Sequence, residues 1–285
     1  MAFFKPNSNL YLTIVRLRRN KLAVLGLIIL LILIAVAVFA PVIAPYHYAE
    51  QNLEVSFEPP CKEYPLGTDE FGRDILSRII YGAQISLQVG LFAVFLAMIT
   101  GGLLGAVAGY YGGKLDEIIM RTMDVFLSIP QIILAIAIAA ALGPGLLNLT
   151  VAVGISAMPT FARVVRGAVL SVVGQEYIEA AHCMGARDSW IIFRHVLPNC
   201  SAPIIVQATL RVAQAILAAA SLSFLGLGIQ PPFPEWGGML ASARMYIRDY
   251  AYMMIFPGLA IMITIMALNF VGDGLRDAMD PKQKR

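Results

Sequence analysis

Charged side chains are scarce in this sequence. Asp, Glu, Lys and Arg together make up 14% of its 285 residues, whereas a soluble globular domain usually contains about a quarter. Hydrophobic residues make up 59% of the chain. So few charges cannot cover the surface of a protein of this length. The composition therefore argues against a soluble domain and predicts an integral membrane protein.

The sequence also has few residues of the kinds that bind metals or nucleotides. It contains three cysteines and three histidines, and their spacing fits neither a disulfide framework nor a zinc site. No glycine-rich stretch ends in Gly-Lys-Ser or Gly-Lys-Thr, so the chain is not expected to bind ATP itself. Basic and aromatic residues form no interleaved patch, which gives no reason to expect a nucleic-acid partner. We therefore expect no catalytic residue, no metal site and no cofactor in this chain.

Long stretches without any charged residue divide the chain. Five of them occur, at 22–49, 79–113, 125–162, 212–234 and 250–272. Each can hold about 20 apolar residues, the length that crosses ~30 Å of hydrocarbon. The third stretch is too long for one crossing, and it contains Gly143-Pro144-Gly145, which cannot continue a helix. The pattern predicts an all-α membrane protein with six transmembrane helices, at 22–44, 85–109, 116–142, 146–170, 202–225 and 251–272.

Lysine and arginine are distributed unequally between the two sides of this predicted membrane domain. With the N-terminus inside, fifteen of them lie on the cytoplasmic side and five on the outer side, as expected because basic loops stay in the cytoplasm. Both termini are therefore predicted to be cytoplasmic. The predicted N-terminal segment is 1–21, the membrane domain is 22–272 and the cytoplasmic tail is 273–285. Within the membrane domain, the outer loops are predicted at 45–84 and 226–250 and the cytoplasmic loop at 171–200.

A cleavable signal peptide is the alternative interpretation of the first apolar segment. Basic residues precede that segment, as they do in signal peptides. Its apolar core is too long for a signal peptide, however, and no small-residue cleavage pattern follows it. We therefore predict that the segment is retained as the first transmembrane helix.

The 171–200 loop is longer than a simple connection between two helices requires. Within it, residues 175–186 favour a short helix that ends at Gly185, since glycine adopts the left-handed cap conformation at little cost. Small alanines and Glu179 would let this helix sit in a groove of another protein. An amphipathic helix that rests on the inner leaflet is the alternative. Its apolar members at helical spacing are Tyr177, Ile178, Ala181 and Met184.

Glu179-Ala180-Ala181 is followed after three residues by Gly185 and further on by Leu197-Pro198. This arrangement resembles the motif by which permeases of ATP-binding-cassette importers engage their ATPases. The resemblance implies that the helix is the mechanical contact with an ATPase. His195 departs from the general motif, which usually has isoleucine there, although the peptide branch often has histidine. The implied ATPase-coupling residues are Tyr177, Glu179, Ala180, Ala181, Gly185 and Ala186.

Four further stretches resemble one branch of that family, the dipeptide, oligopeptide and nickel permeases. They lie at 65–74, 194–199, 223–237 and 272–281, and their order is similar to that in the smaller of the branch's two permease subunits. The resemblance implies a type I importer permease fold in a bacterial inner membrane and uptake of di- or oligopeptides. It implies as partners a second homologous permease, two ATPases that bind ATP and Mg, an extracytoplasmic solute-binding protein and the lipid bilayer.

Other functions stay open at this stage. An importer of nickel or of another small solute in the same branch would share these motifs. A stand-alone secondary transporter would need no docking loop and often shows internal repeats, of which we find no convincing example. An intramembrane aspartyl protease would need two carboxylates that share a proton, for which Asp124 and Asp273 are the candidates. Neither of them is flanked by the rest of the pattern that such proteases need.

The fifth predicted span contains three polar residues on one helical face: Gln207, Arg211 and Gln214. A charged residue within the membrane normally faces a cavity or a partner, so these three are our candidates for the translocation pathway. Arg211 would contact a carboxylate of the passing solute or an acid of the second permease. The alternative is that its long side chain reaches the cytoplasmic interface.

Four other features have two interpretations each. The small-residue face of the second span, Gly101, Gly105 and Gly109, would pack against the partner permease or within this chain. Prolines near the spans would act as hinges or as static kinks, namely Pro130, Pro159 and Pro257. The seven acidic residues of the first outer loop are expected to be solvated rather than to attract cations. The proline-rich loop around Trp236 would receive a solute-binding protein or form a structural cap.

Overall fold

The structure, a computed structural model, describes residues 9–279, with side chains from residue 13 onward. Residues 1–8 of the predicted N-terminal segment and residues 280–285 of the predicted tail, which include the Asp280-Pro281 motif, lie outside the described residues. Within them the chain is helical, and its extended contacts are limited to one isolated bridge between Thr68 and Asp74. The helices are α1 Asn9–Arg19, α2 Lys21–Val38, α3 Ala40–Ile43, α4 Ile75–Tyr111, α5 Gly113–Ser128, α6 Gln131–Leu142, α7 Leu146–Val173, α8 Glu176–Cys183, α9 Asp188–Ile191, α10 Leu197–Asn199, α11 Ser201–Phe224, α12 Trp236–Ala243 and α13 Tyr252–Met279.

Five of these helices are long and apolar enough to cross a membrane, namely α2, α4, α7, α11 and α13. The bent pair of α5 and α6 raises the number to six if the two are counted as one span. The predicted all-α membrane fold is therefore confirmed. Helix α4 differs from its predicted bounds of 85–109, because residues 75–84, which we assigned to an outer loop, are helical.

The early start of α4 has a local cause. The Asp74 carboxylate accepts hydrogen bonds from the Ser77 amide at 2.8 Å and the Ser77 hydroxyl at 2.6 Å, so it caps the helix. Helix α4 then runs for 37 residues, or about 55 Å at the usual rise per residue. Because ~30 Å of helix is enough to cross the hydrocarbon, α4 extends beyond it and connects the two ends of the molecule.

The prediction of one continuous helix at 116–142 is wrong. Helices α5 and α6 meet at an angle of 90°. Proline has no amide hydrogen, and it disfavours helical geometry in the preceding residue; Ile129, before Pro130, is accordingly extended at φ −94° and ψ 127°. Pro159 and Pro257, in contrast, lie inside α7 and α13, which continue past them. Of the three prolines considered as hinges or kinks, Pro130 is the one that ends a helix.

The centre of the molecule is the contact between α4 and α7, the most extensive helix pair in the described part of the chain. A Cβ atom added to Gly101 would lie 2.3 Å from the Met158 carbonyl oxygen, and one added to Gly105 would lie 2.2 Å from that of Ala162. The two backbones therefore approach so closely that only glycine fits on α4. The small-residue face of the second span packs within this chain, which resolves the alternative left open by the sequence.

Two loops fold together over one end of the helices, at residues 44–74 and 225–251, and we call them the cap. The buried Trp236 ring donates from Nε1 to the Ile79 carbonyl oxygen at 3.1 Å and so attaches the second loop to α4. The Tyr252 hydroxyl donates to the carbonyl oxygens of Glu58 at 3.1 Å and Thr68 at 3.2 Å, which attaches the first loop to α13. Trp236 therefore has a structural role.

The expectation that the acidic residues of the first loop are all solvated is wrong for Asp69 and Asp74, which are buried. Asp69 accepts from the Arg73 side chain at 2.6 Å and lies 3.5 Å from the guanidinium of Arg78. Arg78 also donates to the Tyr48 carbonyl oxygen at 3.0 Å. Burial disfavours an unpaired charge, so a folded loop that excludes water requires these pairs.

Gly105, of the predicted small-residue face, and Gly102, which lies beside that face, allow a matched test of the α4–α7 contact. Gly105→Ala is expected to cost about 1–3 kcal/mol, because its Cβ would collide with a backbone oxygen that cannot move alone. Gly102→Ala should cost little, since the nearest atom to its Cβ is a methyl group of Val165 at 3.9 Å. Thermal unfolding of the two detergent-solubilised variants measures the difference. Equal melting temperatures would contradict the proposed role of Gly105.

Candidate functional site

The predicted short helix of the 171–200 loop is present as α8. One side of α8 packs onto the rest of the chain, because Ile178 and Ala181 are buried in a cluster with Val165 and Val169 of α7. The opposite side, which includes Glu179 and Ala180, is exposed. The chain therefore holds α8 firmly and presents part of the predicted docking motif to the surroundings.

Gly185 ends this region of helix as the sequence predicts. Its φ is +76°, in the left-handed region. The Gly185 amide donates to the His182 carbonyl oxygen at 2.9 Å, and the Ala186 amide donates to that of Ala181 at 3.1 Å. These two bonds are the Schellman pattern, which satisfies carbonyl groups at the end of a helix. No heavy atom lies within 4 Å of a Cβ built on Gly185, so the backbone conformation, and not crowding, requires glycine here.

The structure divides the six predicted coupling residues into two groups. Tyr177, Glu179, Ala180 and Gly185 are exposed and accessible to another protein. Ala181 is buried and Ala186 is half-buried, so these two position the helix and its cap. The alanine pair of the motif thus has two different surroundings, because adjacent residues on a helix point about 100° apart.

Aromatic residues that the sequence reasoning missed lie beside α8. Trp190 and Phe193 are 50% and 62% exposed, and Met184, an apolar member of the predicted helix, is 80% exposed. The ring of His195 lies 4.6 Å from that of Trp190 and 6.4 Å from that of Tyr177, so this histidine connects α8 to the segment after it. Exposed apolar side chains close together are typical of a surface that contacts a protein or a membrane.

The end of α4 is bonded to the 171–200 loop. The Tyr110 hydroxyl lies 3.1 Å from Nε2 of His182 on α8 and donates to Oδ1 of Asp188 at 3.1 Å. Tyr110 therefore joins α8 and α9 to the longest helix of the molecule. The sequence offered no indication of this contact, because Tyr110 and His182 are 72 residues apart.

Helix α5 is attached to α7 by two ion pairs. Arg166 donates to both oxygens of Asp116, at 2.5 and 2.6 Å, and Arg163 donates to Asp124 at 2.7 Å. The Arg166 and Asp116 side chains are 32% and 17% exposed, against 57% and 47% for Arg163 and Asp124. Asp124 therefore has an arginine as its partner, which does not match the carboxylate pair of the protease hypothesis.

The pathway candidates form a smaller polar cluster than predicted. Arg211 donates from Nη1 to Gln214 at 2.7 Å, and the same atom lies 3.5 Å from the side-chain oxygen of Gln131 on α6. Gln207 does not join this cluster within the described residues. Gln131 and Gln214 line a groove of about 340 Å³ between α6 and α11, together with Ser221 and apolar side chains. The 90° turn before α6 is what brings Gln131 to this position.

Comparison of the sequence with known protein families identifies the family to which this chain belongs. Residues 101–285 match the family described as the inner membrane component of binding-protein-dependent transport systems. The chain belongs to this family. Residues 8–60 match a second description, the N-terminal transmembrane domain of oligopeptide transport permease C. The resemblance drawn from the docking motif is thereby confirmed, and the chain is a multi-pass inner-membrane permease component.

Relatives of this permease are similar over almost their whole length. The dipeptide transport system permease protein DppC of Alkalihalophilus pseudofirmus is 51% identical over 94% of this chain and 88% of its own. The di/tripeptide transport system permease protein DppC of Pseudomonas aeruginosa is 48% identical over 93% and 89%. The glutathione transport system permease protein GsiD of Pectobacterium atrosepticum is 48% identical over 94% and 90%.

A solved structure supports the fold of this permease. A chain of the MetNI methionine ABC transporter in inward-facing conformations superposes with a TM-score of 0.58. The alignment covers 72% of this chain and 98% of that chain, at 22% sequence identity. At this identity the likeness establishes the shared fold of the helices, which agrees with the type I importer fold that the sequence predicts.

The two ion pairs of α5 offer a matched test of which contact fixes this helix. Asp116→Asn should destabilise the permease by about 1 kcal/mol, because it leaves the partly buried guanidinium of Arg166 without its bidentate partner. Asp124→Asn should have little effect, since exposed ion pairs contribute little. Melting temperatures of the two purified variants are the measurement. A larger loss for Asp124→Asn would show that the exposed pair holds α5.

Proposed function

We propose that this chain is one of the two permease subunits of an ATP-binding-cassette importer for di- and oligopeptides. With a second homologous permease it forms the pathway through the membrane. Two partner ATPases bind ATP and Mg and hydrolyse the nucleotide, while this chain catalyses no reaction. An extracytoplasmic solute-binding protein delivers the peptide. The observation on which the proposal chiefly depends is α8, a capped helix that is fixed by its own chain and exposes Glu179 and Ala180.

Peptides are the proposed solutes because of the relatives. The names of the three relatives described above refer to dipeptides, di- and tripeptides, and glutathione, which is itself a tripeptide. Their sequences match this chain along nearly all of its length, including the regions that form the cap and the groove. A nickel or other small-solute importer of the same branch is the second candidate, and it differs from the first in the transported solute alone.

The proposed coupling follows from how α8 is attached. The exposed face of α8 would lie in a groove of the ATPase, and closure of the two ATPases on ATP would move it. Ile178 and Ala181 transmit that movement to α7 through packing, and His182 transmits it to α4 through Tyr110. Because glycines hold α4 and α7 at backbone contact, the two helices move as one body.

The proposed pathway faces the groove between α6 and α11. Arg211 is bonded there to glutamine amides and to no carboxylate of the described residues. Its charge therefore remains available to a carboxylate of the passing peptide or to an acid of the second permease. Gln207, on the same helical face, would extend this polar stripe toward the predicted cytoplasmic side. Both termini are proposed to lie on that side, together with the 171–200 loop.

Substitutions at Gly185 and Glu179 test the coupling role of α8. Gly185→Val forces a β-branched residue into the left-handed region and should disrupt the cap, at a cost of about 1–3 kcal/mol. Gly185→Asn is the matched control, because asparagine tolerates this conformation.

Glu179→Arg reverses the exposed charge and should lower peptide-stimulated ATP hydrolysis about ten-fold or more. The assay uses the complete importer in liposomes, with membrane insertion checked separately. Full peptide-dependent ATP hydrolysis and normal uptake in Gly185→Val and Glu179→Arg would refute the coupling role.

Isolation of the chain from its native membrane in mild detergent tests the proposed assembly. We expect two ATP-binding-cassette ATPases and a second permease to be recovered with it, because the exposed face of α8 needs an ATPase and one permease cannot enclose a pathway. Mass spectrometry of the purified complex identifies the subunits. Recovery of the chain alone, with transport activity in liposomes that requires no ATP, would instead support a secondary transporter.

A further inference from the structure

A second cavity, of about 520 Å³, lies beneath the cap and shares no lining residue with the groove between α6 and α11. Its walls come from the first cap loop, the start of α4, the turn that joins α6 to α7, and the second cap loop. Its volume lies in the range that is usual for small-molecule sites, roughly 300–1,000 Å³. Such sites are mostly apolar, with a few polar groups that fix the orientation of the ligand.

One wall of this cavity is aromatic. The ring of Tyr48 lies 5.1 Å from that of Tyr81 and 6.2 Å from that of Phe233, so the three rings form a continuous surface. They come from the first cap loop, α4 and the second cap loop. Phe233 is 54% exposed although it is a large apolar residue. An aromatic surface of this kind can accept apolar side chains of different shapes.

The polar groups of the cavity are carboxamides. Gln84 and Gln88 lie one turn apart on α4, on the helix face that also includes Tyr81, and Gln230 lies on the second cap loop. None of the described residues that line the cavity is charged. A carboxamide both donates and accepts, as a peptide group does, so each glutamine can pair with a main-chain amide of a ligand.

The spacing of Gln84 and Gln88 suits an extended peptide. Side chains one helical turn apart have Cβ atoms about 5–6 Å apart. Groups on the same side of an extended chain recur at about 6.7 Å, which is two residues at the rise of a strand. Two flexible glutamine side chains can therefore bond main-chain amide or carbonyl groups of residues i and i+2, which point the same way.

The walls of the cavity are fixed before any ligand enters. Arg78 donates to the carbonyl oxygens of Tyr48 at 3.0 Å and Pro232 at 3.3 Å, so it joins the two cap loops from behind the aromatic wall. The Gly145 amide donates to the Gly228 carbonyl oxygen at 3.2 Å, which attaches the turn between α6 and α7 to the second loop. A preformed site loses less entropy on binding than a mobile one.

We infer that this cavity is a binding site for the main chain of a short peptide, with Gln84 and Gln88 bonding its amide groups and the aromatic wall accepting an apolar side chain. The inference rests on the proposed function and extends it, because it locates a first solute contact at the cap. Recognition by amides, without a charged group, does not depend on the charges of the peptide side chains. It would allow one site to accept peptides of many sequences.

A photoreactive tripeptide, p-benzoylphenylalanyl-alanyl-alanine, tests the site in the complete importer with its ATPases and solute-binding protein. After illumination, mass spectrometry should locate the label on the cap or the first turns of α4. Trialanine in excess should prevent the labelling. Benzophenone, which has no peptide group, is the control probe. If it labels the same residues equally well, the cavity is only an apolar hole, and the inference is wrong.

A double variant, Gln84→Leu with Gln88→Leu, provides the second measurement. Loss of even one hydrogen bond of about 1 kcal/mol should lower both trialanine uptake and labelling of the cavity about five-fold or more. Gln51→Leu is the matched control, because Gln51 is exposed on the first cap loop and does not line the cavity. Size-exclusion chromatography shows whether each variant still assembles. If the double variant does not assemble, the labelling of the unmodified importer decides the question.

Two outcomes separate this inference from the proposed function. If trialanine stimulates ATP hydrolysis by the unmodified importer but the label lies only between α6 and α11 or on the solute-binding protein, the cavity inference fails alone. The cavity inference also fails alone if a segment of the solute-binding protein is found crosslinked within the cavity. If peptides do not stimulate ATP hydrolysis at all, the proposed peptide importer fails, and the inference fails with it.

Discussion

The backbone contact between α4 and α7 is the constraint on which the other parts of the structure depend. Lipid gives no hydrophobic reason for two apolar helices to associate, so close packing has to provide the attraction. Gly101 and Gly105 allow the carbonyl oxygens of Met158 and Ala162 to approach α4 to a distance that any side chain would prevent. This pair then serves as the base for the features at both ends. Tyr110, at one end of α4, reaches the 171–200 loop, while the N-terminal part of α4, near the other end, provides residues of the cap and its cavity.

The two ends of the molecule are stabilised by different physical means. At the cap, Arg78 and Asp69 are buried, and each has several partners, because a buried charge without a partner would be too costly. Their hydrogen bonds to backbone groups give a rigid lid over the cavity. At the other end, α8 is held by packing of two side chains and by hydrogen bonds from the Tyr110 hydroxyl, and its outer face stays exposed. A rigid receiving end and an exposed, attached helix are what the proposed importer needs for binding solute on one side and for responding to an ATPase on the other.

The two proposed polar sites of the permease differ in charge, and this difference would suit successive steps of transport. The cavity under the cap has amides and aromatic rings, whereas the guanidinium of Arg211 contacts Gln131 and Gln214, two residues that line the groove between α6 and α11. A peptide that leaves an uncharged site would next meet a positive charge that is bonded to neutral amides. The chain bends before α6, at Pro130, so that α6 runs beside α11. Helix α6 then ends at the turn that leads into α7 and borders the cavity, so α6 connects the two regions.

The sequence by itself determined the features that depend on solvent and on local backbone geometry. Apolar stretches of about 20 residues predicted the spans, since a helix that crosses lipid must be predominantly apolar over that length. Gly185 predicted the end of the α8 region, because only a few residues accept a positive φ without strain. The docking motif and the order of the other motifs gave the family.

Only the tertiary structure decided which residues become partners. The pairs Tyr110–His182 and Arg166–Asp116 are 72 and 50 residues apart, and no local pattern relates their members. Burial of Asp69 and Asp74, in a loop whose composition suggested solvation, depends on arginines that arrive with α4 and on the second loop that covers them. The cavity of Gln84 and Gln88 has the same origin. Its walls come from four separate segments, and their meeting is set by the packing of the long helices rather than by any one of the segments.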